Sequence, residues 1–102
     1  MASTSTDDLL SARVRMPQHV LHRSFVAETV VLNLRTGKYH GLNPTAGRML
    51  DALAAAPTVG AAVPELAGEY GIEASRVEDD VLALCRGLIE RGLIEVVDAD
   101  GA

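Results

Sequence analysis

The chain has 102 residues, 48% of them apolar, and no run of 18 apolar residues, so it is one small domain able to bury a core and without a membrane-spanning helix. Its net charge of −5 is uneven: residues 1–50 carry six basic and three acidic side chains, residues 51–102 three basic and eleven acidic. That balance, with Phe25, Tyr39 and Tyr70 as the aromatics, argues against a nucleic-acid partner, which calls for a basic face and stacking platforms. The single Cys85 excludes an intramolecular disulfide and a Cys-rich zinc site. Residues 1–8 lack a basic and then apolar start, so no signal peptide is read and the expectation is a cytoplasmic protein with no membrane partner.

The first 13 residues are small, polar and acidic and read as a disordered tail. Residues 19–25 form a strand with imperfect alternation. Residues 29–34, β-branched and apolar, make the best strand in the chain. Gly37 then supplies a turn before a strand over 38–42, so the three segments predict an antiparallel meander. At Asn43-Pro44 the period changes to that of a helix, with asparagine as cap and proline at the first helical position. Met49, Leu50 and Leu53 stripe a helix over 44–55. Thr58 caps a second helix that ends at Gly71, with Pro64 inside it predicting a late start or a kink.

The third helix, over 75–91, carries Val77, Val81, Leu84 and Leu88 on one face, and Leu82, Cys85 and Ile89 widen the apolar arc to about 140°, against roughly 100° for an ordinary surface helix. Gly92 stops it. Residues 93–97 read as a short strand or an apolar tail, and residues 98–102 as a C-terminal tail. The fold class is α+β, a three-stranded antiparallel sheet followed by three helices, whose element types resemble a winged helix-turn-helix.

Catalytic chemistry is poorly supplied. Cys85 lies on the apolar side of its helix, without a cation to activate it, and reads as a buried thiol. His19 and His22 are three apart on a strand, so they point to opposite faces; both read as surface histidines rather than a metal pair. Thr36-Gly37-Lys38 fails as a phosphate loop, because Leu32 stands where the first glycine belongs and Tyr39 follows the lysine. Glu78, Asp79 and Asp80 fan around a helix start and read as a solvated face. The chain is read as no enzyme, with no metal and no cofactor.

Two surfaces remain. The 38–42 strand has a partner on one side only, and Lys38 alone blunts its edge, so it can accept another backbone. Beside it lies the wide arc of the third helix. Composition and spacing weigh equally an open groove and one closed by segment 93–97, which would cover that edge or fill the surplus arc. An open edge also permits a homodimer paired strand to strand.

Val14-Arg-Met-Pro-Gln-His-Val, the stretch 29–50 through Leu42-Asn-Pro, and the closing stretch from Val77 to Arg91-Gly-Leu-Ile resemble a PqqD-like protein over roughly residues 14–97. Within that family the chain looks most like the stand-alone recognition proteins of lasso-peptide clusters. The resemblance implies a RiPP recognition element with a winged helix-turn-helix fold and a peptide-binding domain over 14–97. Its expected partners are the leader of a ribosomally made precursor peptide and a separate transglutaminase-like leader protease. It further implies that the leader adds as a strand beside Lys38, Tyr39, His40, Gly41 and Leu42, and packs on Arg76, Val77, Asp80, Val81 and Leu84. The runner-up is a DNA-binding winged-helix regulator, opposed by Glu65, Glu69 and the acid-led third helix. A structural or toxin-antitoxin type interaction protein is the third reading.

Overall fold

The computed structural model describes residues 5–97. It opens with a helix where a tail was expected: α1 (Thr6–Ser11), followed directly by β1 (Arg13–Arg15). Ser5 caps α1 by accepting from the Asp8 amide at 3.2 Å, and Asp7 and Asp8 sit in the first turn, where the helix dipole favours them. Leu9 anchors the turn in the core at 0% exposure, and the Val59 amide donates to the Ala12 carbonyl. Leu10 packs beside Leu9 against the core. The tail expected over 1–13 is corrected for 5–13; residues 1–4 and the tail expected over 98–102 lie outside the described residues.

The meander comes next as β2 (Val20–Ser24), β3 (Thr29–Asn33) and β4 (Tyr39–Leu42), antiparallel and in sequential order. Register places Leu21 opposite Leu32, Val31 between His22 and His40, and Thr29 opposite Leu42. Side chains alternate across a strand, so Val20, Thr29 and Val31 face inward, and Leu21, Leu32 and Tyr39 form a row on the outer face. His22 faces inward too. It is not the surface histidine expected, because its Nε2 meets Asp51 Oδ1 at 3.0 Å.

Three helices follow, α2 (Pro44–Ala55), α3 (Val59–Tyr70) and α4 (Ala74–Glu90), with α2 seated on the sheet and α3 joining it to α4. Asn43 caps α2 through the Ala46 amide at 2.8 Å, with Pro44 next, as the sequence predicts. Thr58 caps α3 through the Ala61 amide, and Gly71 ends it at φ 66°. The helix runs through Pro64 from Val59, so the late start does not occur. Arg48 on α2 reaches Glu65 and Glu69 on α3, at 3.3 and 2.8 Å. These side chains are 32–58% exposed, so the triad adds only about 0–1 kcal/mol.

Leu93 and Ile94 are buried after α4, and β5 (Glu95–Val97) pairs antiparallel with β1, placing Arg15 opposite Glu95. Segment 93–97 therefore contributes core residues and a strand, and that strand is spent on β1. The architecture is α+β, with the expected three-stranded sheet and three helices, plus an additional helix and a two-stranded ribbon. Among the described residues no helix is long and apolar enough to cross a membrane.

Helix α2 meets β3 at Gly47, where an added Cβ would run into both Oγ1 and Cβ of Thr29. Thr29 is 3% exposed and bonded to Ser24 Oγ at 3.0 Å, so it has no room to yield. Gly47→Ala gains roughly 1 kcal/mol of helix propensity, but the overlap outweighs it. The expected outcome is a net loss of about 1–3 kcal/mol, seen as a lower urea midpoint at unchanged slope.

Candidate functional site

The β3–β4 turn fixes where the last strand of the sheet begins. Asn33 Oδ1 accepts from the amides of Arg35 and Thr36, at 2.9 and 3.3 Å, and curls the chain back. Gly37 takes φ 75° and donates to the Asn33 carbonyl, while the Asn33 amide donates to Lys38. That pattern makes Asn33 and Lys38 a hydrogen-bonded pair. Bonded and non-bonded pairs alternate along an antiparallel ladder. His40 and Leu42 therefore turn their amides and carbonyls toward β3, and Tyr39 and Gly41 turn theirs away from it.

β4 is the end strand of its sheet, so the amides and carbonyls of Tyr39 and Gly41 lie along an edge that no described strand occupies. The five strand residues named from sequence differ accordingly. Lys38 is exposed beside the turn. Tyr39 is 70% exposed on the outer face, and Gly41 beside it is exposed. His40 and Leu42 are half-buried on the inner face, with Leu42 packed against the core. The hydrogen-bonding edge belongs to two of the five residues.

The five helix residues divide as well. Val77 and Val81 are 2% and 0% exposed, and this corrects their expected role: they hold α4 in the core and have no surface to offer a ligand. Arg76 and Asp80 are exposed, and Leu84 is half-buried at the border of the core. At about 100° per residue, Leu82 and Arg86 lie on one side of the Val77–Val81 stripe, with Asp80 and Leu84 on the other. Helix α1 takes the first side, where Arg86 Nη2 donates to Thr6 Oγ1 at 3.1 Å. The flank bearing Arg76, Asp80 and Leu84 is the one α1 leaves uncovered. Sequence periodicity drew the arc but carried no sign of what would cover half of it.

A concavity lies elsewhere. A cleft of about 550 Å³ opens between the β1–β2 connection and the β3–β4 turn, walled by Arg15, His19, Arg35 and Glu95 among others. None of the ten expected residues lines it. Arg15 is engaged there by Glu95 at 2.6 Å. No group of three or more His, Cys, Asp or Glu side chains is placed to hold a metal ion among the described residues.

The sequence matches the family of coenzyme PQQ synthesis protein D (PqqD) over residues 28–94. No curated protein sequence matches it. Among solved structures it is similar to TbiB1 in complex with the TbiA(beta) leader peptide, with TM-score 0.72 and 27% identity, covering 79% of this chain and 94% of that one. It is also similar to lasso peptide synthetase B1 complexed with the leader peptide, with TM-score 0.74 and 27% identity, covering 82% and 99%.

Cys85 is the one thiol, and it is fully buried on α4. Desolvation pushes it up to about 11, with the nearby Arg86 charge pulling weakly the other way. A thiol with a raised pKa stays protonated at neutral pH and is a poor nucleophile. In the unfolded chain it ionises at a lower pH, so this group favours unfolding as pH climbs from about 9 toward 11. The expected outcome is no reaction of native protein with a thiol-specific disulfide reagent at pH 8, and one equivalent after denaturation in urea. Rapid labelling of the folded protein would contradict the buried, protonated thiol.

Proposed function

We propose, for a chain that belongs to the PqqD family, that it is a RiPP recognition element of lasso peptide biosynthesis: it binds the leader of a ribosomally made precursor peptide and delivers it to maturation enzymes. The observation that carries this reading is the unoccupied edge of β4, in a chain whose solved structural neighbours are leader-peptide complexes. A leader strand there forms its main-chain hydrogen bonds with Tyr39 and Gly41. Its inward side chains rest toward His40, Leu42 and the Arg76–Asp80–Leu84 flank of α4.

On this reading the protein is non-catalytic, and its α+β architecture is a winged helix-turn-helix adapted to peptide rather than DNA. A separate transglutaminase-like leader protease receives the bound precursor. A DNA-binding role is opposed by charge, because α4 carries Glu78, Asp79 and Asp80 in its second turn, and α3 carries Glu65 and Glu69. A homodimer paired through β4 would use the same amides as the leader, so dimer and complex exclude each other.

The ladder alternation makes the test sharp. Proline at 41 removes an amide that faces away from β3, and an edge strand tolerates it. Gly41→Pro should keep the fold and weaken leader binding roughly tenfold or more, through a lost hydrogen bond and a blocked approach. His40→Pro removes an amide that faces β3 and should lower the melting temperature instead. Lys38→Ala and His40→Ala should leave affinity nearly unchanged. Fluorescence anisotropy with the labelled leader of the cognate precursor, beside circular dichroism, reads both quantities. A folded Gly41→Pro variant with wild-type affinity would overturn strand addition.

A further inference from the structure

We infer that Glu28 is a specificity-determining residue that selects a lysine or arginine in the bound leader, at the position that pairs with Gly41. This rests on the strand-addition reading above. Glu28 stands one residue before β3, in the turn where the Phe25 amide donates to its carbonyl. By alternation it shares the outer face of the sheet with Val30, Leu32, Tyr39 and Gly41. Its carboxylate does not point out past the turn. It lies back over β4, so that a Cβ built on Gly41 would sit 2.6 Å from Glu28 Oε1.

Gly41 is thus a gap in the outer face, filled by a carboxylate from the neighbouring strand. Glu28 is exposed and enters no ion pair among the described residues. One strand further out is the open edge. A residue paired with Gly41 places its Cβ about 5.5 Å from the Gly41 position, on the same face. A Lys or Arg side chain spans that distance to Oε1 easily, whereas Asp or Glu there meets a like charge. The absent side chain at 41 is what allows the carboxylate to reach the edge strand at all.

The test uses the full-length protein, immobilised, and a displayed library of random 20-residue peptides. Wild type should enrich peptides with Lys or Arg at one fixed place in the selected motif, and Glu28→Lys should shift that place to Asp or Glu. Glu28→Gln, which keeps the length of the side chain and removes its charge, should erase the preference. For one selected peptide, Kd should rise about two- to fivefold in Glu28→Lys at low salt and return toward the wild-type value at 1 M salt. If peptides are enriched and Gly41→Pro abolishes their binding, but Glu28→Lys leaves the motif unchanged, the role of Glu28 is overturned and strand addition stands. If no peptide is enriched, or Gly41→Pro binds the selected peptides as wild type does, strand addition falls and this inference falls with it.

Discussion

The approach of α2 to β3 at Gly47 and Thr29 sets the distance between sheet and helices, and the remaining contacts are built on that spacing. With no side chain at 47, the helix lies close enough for Met49, Leu50 and Leu53 to close the core over Val31. Close packing of this kind leaves little slack, so a methyl in the wrong place is felt by its neighbours. The same seating places Asp51 against His22, tying the first strand of the sheet to the helix. It also brings Arg48 to the acidic pair on α3.

On this frame the strands divide the labour between them. The chain has a spare strand at each end of its folded part, β1 and β5, and either one has the backbone groups to complete the sheet at β4. They pair with each other instead. That choice satisfies both terminal segments away from the sheet and leaves Tyr39 and Gly41 with outward-facing amides. An edge of this kind is normally a hazard, blunted by charge or covered. On the proposed function it is the surface that takes the leader, kept short at four residues and flanked by Lys38 and Glu28.

Helix α4 is organised by the same logic. Its wide apolar arc exceeds what α3 alone covers, and the excess is shared. Helix α1 takes the flank marked by Arg86, and Leu84 remains at the border of the other. Val77 and Val81 belong to the stripe between the two and are spent on the core. A short N-terminal helix therefore covers one side of α4 and leaves the other open. Its anchors are the buried Leu9 and the half-buried Leu10.

Much of this was legible in the sequence, because local signals with local causes survive folding. Asn43-Pro44, Thr58 and Gly71 mark helix ends through bonds made within a few residues, and all three act as the sequence predicts. The β-branched, apolar run 29–34 and the turn at Gly37 placed the meander to within a residue, and Leu42-Asn-Pro with the closing helix pointed to the family. Long-range choices were not legible. Leu9 and Leu10 lie in a polar stretch that reads as a tail, and only α3 and α4 supply the pocket that buries Leu9. His22 has no partner in its own strand and finds one 29 residues away. Which backbone groups of β4 face outward depends on the register of a ladder, and whether the edge stays open depends on β5 pairing with β1. The sequence by itself determined the elements, their caps and the kind of surface a short edge strand provides. Tertiary structure alone decided which edge stayed unpaired and which flank of α4 remained uncovered, because those outcomes rest on competition between segments far apart in the chain.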